Sequence, residues 1–322
     1  MSVKRIAVLT SGGDAPGMNA AIRAVARTAM NRGIEVFGVY RGYNGLINGD
    51  MVQMNLRSVS DIIHRGGTML YTARSPEFRT EEGMQKAIKT CRETGIEGVV
   101  VIGGDGSFRG AQDLTRRGLP CIGIPGTIDH DISCCEYTIG YDTALNTSME
   151  MIDKLRDTAQ SHDRCSVVEV MGRHAGYLAL NTGIACGATS IIVPEVPFDF
   201  ERDIIQRMAT TSATGKKHFI IIVAEGVGHV MNMAEEIEKR TGIETRATIL
   251  GHVQRGGSPT VRDRVLASEM GHHAVELLID GKSNRVVTVQ NDQITDFDIE
   301  EALQMKKPFD FDLYRMAHEI SI

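Results

Sequence analysis

Short apolar runs recur along the chain at residues 6–9, 36–39, 99–102, 121–124, 167–170, 191–193 and 219–223, and stretches of helical spacing lie between them. Runs such as Val99-Val100-Val101-Ile102 show no polar alternation, which predicts strands buried on both faces. Strands alternating with helices predict βαβ units and a largely parallel sheet. The Ala-rich pattern over 20–30 predicts the first helix. Because the runs fall into two groups, the pattern predicts an α/β fold of two Rossmann-like domains, one sheet drawn mostly from the first half and one from 167–223. No Pro/Gly/Ser tract separates the groups. That predicts interleaved domains, with the active site expected in the cleft between them.

With 322 residues, 42% of them hydrophobic, the chain is long enough to bury a sizeable core and to form two domains. No run of about 18 apolar residues is present for a membrane span, and Lys4-Arg5 leads directly into the first strand. A cytoplasmic protein with no membrane partner is expected. Cys91, Cys121, Cys134, Cys135, Cys165 and Cys186 contain no C-x-x-C pair, so reduced thiols are expected rather than a zinc site or disulfides. The net charge of -6 argues against a nucleic-acid partner.

Chemistry concentrates where apolar runs end in glycines. The first strand ends in Thr10-Ser11-Gly12-Gly13-Asp14, and the following helix offers N–H donors and a positive dipole end to a phosphate. A tight strand-to-helix turn explains the same residues. Gly103-Gly104-Asp105-Gly106-Ser107 closes another strand, where Asp105 is read either as a helix cap or as a contact to metal or phosphate. The three glycines of that cluster favour close approach by a ligand. Asp129 and Asp131 are two apart, so an extended segment places both carboxylates on one face and His130 on the other. One carboxylate then suits a general base, while a solvated Asx turn is the alternative. Arg23 and Arg27, four apart on the first helix, form either an anion site or a solvated face. Arg255 lies in Gly251-His252-Val253-Gln254-Arg255-Gly256-Gly257, a basic cluster among glycines that reads as an anion site.

Together with Arg65-Gly66-Gly67-Thr68, Pro125-Gly126-Thr127-Ile128-Asp129 and Val170-Met171-Gly172-Arg173, these segments closely resemble the bacterial ATP-dependent 6-phosphofructokinase family along most of the chain. The resemblance implies transfer of the γ-phosphate of Mg-ATP to the 1-hydroxyl of fructose 6-phosphate. It implies Asp129 as the base, assisted by Thr127, with Arg173, Arg74 and Gly13 in the reacting region. ATP is expected on Gly13, Arg74, Ser75, Gly104, Asp105, Gly106 and Ser107, with Asp105 serving Mg2+. The sugar phosphate is expected on Thr127, Ile128, Asp129, Met171, Gly172, Arg173, Glu225, His252, Val253, Gln254 and Arg255, and on Arg164 and Arg246 from a neighbouring subunit of a homotetramer. The domains implied are 1–140 plus 254–304 for ATP and 141–253 plus 305–322 for fructose 6-phosphate.

Allosteric binding of ADP or phosphoenolpyruvate is implied at Arg23, Arg27, Arg156, Gly187, Thr189, Lys216, Lys217 and His218. Family members commonly carry glutamate at the position of Thr189, lysine at Thr214 and in some cases arginine at Leu56, so weakened or altered ADP activation is expected here with an anion site retained. His130 stands where asparagine is common. Pyrophosphate-dependent relatives usually carry Asp at Gly106 and Lys at Gly126, and glycine at both positions implies ATP as donor. A dehydrogenase is disfavoured because no Gly-x-Gly-x-x-Gly follows the first strand. A catalytically silent subunit would need to lack Asp105, Asp129 or Arg173, and all three are present.

Overall fold

In chain order the strands of the computed structural model are β1 Arg5–Thr10, β2 Glu35–Val39, β3 Met51–Met54, β4 Gly98–Gly103, β5 Cys121–Pro125, β6 Cys165–Val170, β7 Ser190–Ile192, β8 Phe219–Ala224, β9 Thr245–Ile249, β10 Arg285–Gln290 and β11 Gln293–Asp298. The helices are α1 Met18–Asn31, α2 Tyr43–Asn48, α3 Glu81–Thr94, α4 Asp105–Arg116, α5 Tyr141–Ser161, α6 Tyr177–Ala185, α7 Arg207–Ala213, α8 Val230–Thr241, α9 Val261–Ile279, α10 Ile299–Gln304 and α11 Phe311–Glu319. Residues 3–321 are described. The chain divides into two units: Met1–Ile128, Ile132–Thr143 and Arg255–Lys307 form the first, and Asp129–Asp131, Ala144–Gln254 and Pro308–Ile322 the second.

The first unit is built on a seven-stranded sheet of order β11-β10-β5-β4-β1-β2-β3. Val8 pairs with Val100, and Val100 with Ile122, in parallel register at the middle of this sheet, and all three side chains are fully buried. Each such burial stabilises by about 1.5–3 kcal/mol, which is why these runs show no polar alternation. Parallel register also brings the carboxyl ends of β1, β4 and β5 side by side. Ser11 N–H donates to the Ile102 carbonyl and Gly126 N–H to the Gly103 carbonyl, both at 2.9 Å. The three glycine-bearing segments therefore leave one edge of one sheet, where ligands of open α/β sheets bind.

The second unit has an all-parallel sheet of order β7-β8-β6-β9. Cys165, Val167, Phe219, Ile221 and Val223 from its strands pack with Ile204, Met208, Val230 and Ile237 in one apolar core.

The apolar runs given above do not include β3, β9, β10 and β11. Thr245-Arg246-Ala247-Thr248-Ile249 is half polar because β9 is an edge strand. β10 and β11 form an antiparallel hairpin turning at Asn291 and Asp292, both with positive φ (50° and 58°), a residue pairing that favours such turns. The expected segment 1–140 is not one body. Asp129–Asp131 clusters with the second unit, where Arg173 faces both carboxylates and His130 packs on Tyr177. The later crossings fall after Thr143, Gln254 and Lys307. Among the described residues no helix is long and apolar enough to cross a membrane.

Candidate active site

In the first unit, the glycines at the strand ends separate into two kinds. A Cβ on Gly103 would stand 2.4 Å from the Ser11 carbonyl oxygen and 2.5 Å from Ser107 Oγ, so this glycine is required by packing. That corrects the expectation that all three glycines of the cluster serve a ligand. Gly106 meets nothing within 4 Å, and Gly104 only the tip of Ile132 at 3.7 Å, so these two present open backbone. Gly104 also occupies the cap position of α4 without a side chain to offer, which places Asp105 in the first helical turn and removes its reading as the cap residue. Ser107 is buried and accepts the Tyr43 hydroxyl on its carbonyl.

Two side chains fix the region of the turn after β1, Asn19 at the start of α1 and Arg255 on the turn itself. Asn19 is buried: its Nδ2 donates to the carbonyls of Arg65 and Gly66, and its Oδ1 accepts Met69 N–H at 2.7 Å. Asn19, to which the sequence patterns assign no role, thus ties the start of α1 to the 65–69 segment. Arg255 Nη1 donates to the Asp14 carbonyl at 3.1 Å, and the same guanidinium would stand 2.5 Å from a Cβ on Gly13. Arg255 thus lies against the glycine turn after β1 in the first unit. Arg74 is exposed, and Ser75 Oγ accepts Phe78 N–H at 3.3 Å, capping the short turn that follows.

Leaving β5, Gly126 pairs with Ile139, Thr127 N–H donates to the Ile139 carbonyl at 3.1 Å, and Thr138 Oγ1 donates to the Thr127 carbonyl at 2.8 Å. A Cβ at Gly126 would press on Ile102 and Met18 at 3.1 Å, so packing also favours glycine there. Ile128 is completely buried, which leaves only its backbone for a ligand.

His130 adopts φ 58°, so 129–131 is a left-handed turn and not the extended segment expected. Asparagine, aspartate and histidine tolerate this region better than other side chains, which accounts physically for a histidine at that position. The ring packs edge-on against Tyr177 at 5.5 Å. Both carboxylates nonetheless reach one cation: Arg173 lies 3.9 Å from Asp129 and 3.7 Å from Asp131. Asp129 is only 3% exposed. Arg173 itself has φ 55° and follows Gly172 at φ 140°, and this strained turn is fastened by Glu225, whose Oε1 accepts both backbone N–H groups. In this structure Glu225 therefore supports the turn.

The Gln254 side chain is spent on internal hydrogen bonds. It is completely buried, with Oε1 accepting Met171 N–H at 3.2 Å and the Ser148 hydroxyl at 3.0 Å while Nε2 donates to the Gly251 carbonyl. Met171 is half-buried, whereas His252 and Val253 are exposed. Arg164 and Arg246 converge on Glu244, and their hydrogen bonds, Arg164 first, hold its carboxyl below the usual range.

Of the predicted effector residues, Arg156, Lys216 and His218 come together in the second unit. Burial first, then the charges of Lys216 and Arg156, lowers the His218 pKa. Arg156 also donates to the Cys186 carbonyl, beside the open Gly187 at φ 56°. Thr189 is 1% exposed, and its carbonyl accepts Arg207. Lys217 is exposed. In the first unit, Arg23 is held below its ordinary pKa by burial and by Arg27, and Arg27 and Leu56 line one depression of about 610 Å³.

All six cysteines are free and buried, and burial pushes the Cys134 thiol up to about 12. Among the described residues no three His, Cys, Asp or Glu side chains converge as a metal cage. Asp105, a single carboxylate at a helix start beside open glycine backbone, fits an ion held mainly by substrate phosphates.

The phosphofructokinase family matches residues 5–278. The chain is 58% identical over 320 residues to the ATP-dependent 6-phosphofructokinase of Brevibacillus brevis, covering 99% of this chain and 100% of that protein. The enzyme of the same name from Halalkalibacterium halodurans matches at 58% with the same coverage. Among solved structures, the phosphofructokinase of Saccharomyces cerevisiae aligns with a TM-score of 0.88 at 37% identity over 99% of this chain and 48% of that one, so this chain spans about half the yeast chain's length.

Proposed function

This chain belongs to the phosphofructokinase family, and on that premise we propose that it transfers the γ-phosphate of ATP to the 1-hydroxyl of fructose 6-phosphate, the committed step of glycolysis. The sugar O1–phosphorus bond forms, the bond from the γ-phosphorus to the β–γ bridging oxygen breaks, and the hydroxyl proton passes to Asp129. The products are fructose 1,6-bisphosphate and ADP. The observation that carries this reading is the pairing of the nearly buried Asp129 with Arg173, on a turn that Glu225 fastens. A carboxylate held in place by such a contact is positioned to accept a proton.

Phosphoryl transfer depends mainly on positioning and on charge stabilisation. Gly13, Gly104, Gly106 and Ser107 present backbone to the ATP phosphates, Ser75 joins them, and Arg74 and Arg173 stabilise charge on the group in flight. Asp105 would hold Mg2+, which would neutralise charge on the nucleotide phosphates. Thr127 orients the hydroxyl beside Asp129. Met171, Gly172, Glu225, His252 and Arg255 recognise the sugar phosphate, with Glu225 acting through the backbone of its turn. In a homotetramer Arg164 and Arg246 serve a neighbour's 6-phosphate, exchanging Glu244 for that anion. Phosphoenolpyruvate or ADP binds at Arg156, Lys216 and His218 and at Arg23 and Arg27, with ADP activation weakened by Thr189, Thr214 and Leu56.

A coupled assay of fructose 1,6-bisphosphate formation tests the reading. ATP with fructose 6-phosphate is expected to support turnover and pyrophosphate to give none above background. Turnover driven by pyrophosphate, or none with ATP, overturns it.

A further inference from the structure

Asp263 is completely buried in the first turn of α9. Its local sequence, Thr260-Val261-Arg262-Asp263, reads as a capping pair in which each side chain satisfies the other's backbone N–H. Only half of that pair forms. Thr260 Oγ1 accepts Asp263 N–H at 3.3 Å, but Thr260 N–H donates to the Thr143 hydroxyl at 3.0 Å. The Asp263 carboxylate reaches a different segment: Oδ1 accepts Gly140 N–H and Oδ2 accepts Thr143 N–H, both at 2.8 Å, and Oδ2 also accepts the Thr143 hydroxyl.

These donors are all neutral, and the charged side chain that acts on Asp263 is another carboxylate, Asp142. A carboxylate buried without a cation is costly, and capping alone could be met by a hydroxyl or an amide. What a carboxylate adds is two acceptor oxygens fixed toward Gly140 and Thr143 at once.

The segment it fixes is the one that frames the reacting residues. Ile139, next to Gly140, binds the backbone of Pro125 and Thr127 through its own N–H and carbonyl. On the other side, Gly140 (φ 101°) sits so close to the turn after β1 that a Cβ would meet Ala15 at 2.7 Å. Gly17 is equally constrained, since a Cβ there would meet Ile139 at 2.6 Å and Asp263 at 3.5 Å. One buried carboxylate therefore anchors the junction between the first glycine turn and the strand end that leads into Asp129.

The geometry points to Asp263 as a positioning residue for phosphoryl transfer, acting through Gly140 and Thr143 on Thr127 and on the glycine turn, an inference that rests on the reading of Asp129 as the base. Steady-state kinetics on Asp263→Asn, Thr143→Val, Thr143→Ser and Asp129→Asn, each with its folded fraction measured by circular dichroism, test it. Per folded enzyme, Asp263→Asn and Thr143→Val are expected to lose about 10- to 100-fold in kcat with both KM values within about threefold, and Thr143→Ser to stay near wild type. A purely structural role lowers Tm and leaves kcat of the folded enzyme within about twofold, and that result overturns the inference. Should Asp263→Asn fail to fold, the two Thr143 variants decide by the same split. Near-normal turnover in Asp129→Asn marks instead a failure of the base assignment.

Discussion

Glu225 holds Arg173 by its backbone: the carboxylate accepts the Arg173 N–H and, at 3.0 Å, that of Gly172. The oxygen that does this, Oε1, is retained in a glutamine. Glu225→Gln is therefore expected to keep kcat and KM for fructose 6-phosphate within about threefold, whereas Glu225→Ala frees a strained turn and raises KM while lowering kcat by about tenfold or more. Equal losses in the two variants would show that the negative charge itself contacts the sugar.

The two kinds of glycine at the end of β4 predict opposite outcomes. Gly103→Ala forces a methyl against the Ser11 carbonyl, and is expected to destabilise by about 1–3 kcal/mol in urea unfolding. Gly106→Asp enters open space at a helix start, so Tm should hold. The added charge repels the nucleotide, and kcat/KM for ATP is expected to fall on the order of 10- to 100-fold. Unchanged ATP kinetics in Gly106→Asp would remove Gly106 from the phosphate site.

Gln254→Leu deprives Met171 N–H and the Ser148 hydroxyl of their buried acceptor. A loss of about 1–3 kcal/mol in unfolding free energy follows. Unaltered stability would contradict this internal bonding role.

His218 links anion binding to pH. Burial, Lys216 and Arg156 hold its folded pKa below the ordinary value, so the unfolded chain takes up protons first as pH falls through about 6.5, and stability present above that pH is lost on acidification. An anion at Arg156 and Lys216 offsets their charges and raises the His218 pKa. Phosphoenolpyruvate binding is thus expected to take up protons and to tighten from about pH 8 to about pH 6, as read by calorimetry in buffers of different ionisation enthalpy. Heats independent of the buffer, or an unchanged response in His218→Gln, would count against this coupling.

Much of this architecture can be read from the sequence because its central strands are apolar on both faces. β1, β4 and β5 announce themselves, and the glycines at their ends mark the site's edge. Edge strands such as β9 and β11 carry no such signature, whereas the β10–β11 hairpin shows in the β-branched run Val286-Val287-Thr288-Val289 and in Asn291-Asp292. Side-chain roles are less legible because spacing does not reveal partners. Gln254 sits in a basic, glycine-rich motif yet is buried, and Asp263 sits in a local capping pattern yet binds a segment more than a hundred residues away. Alternation predicts one face for Asp129 and Asp131, and both carboxylates do reach Arg173. The extended segment that alternation assumes is absent, however, since His130 turns the chain left-handed between them.

The most direct measurement is the turnover number of Asp129→Asn with ATP and fructose 6-phosphate at saturation. The substitution keeps the shape and burial of the side chain and removes its capacity to take a proton. A fall of about 10²- to 10⁴-fold in kcat, with the enzyme folded and ATP still bound, is the predicted result. Turnover within a few-fold of wild type would contradict the assignment of Asp129 as the base.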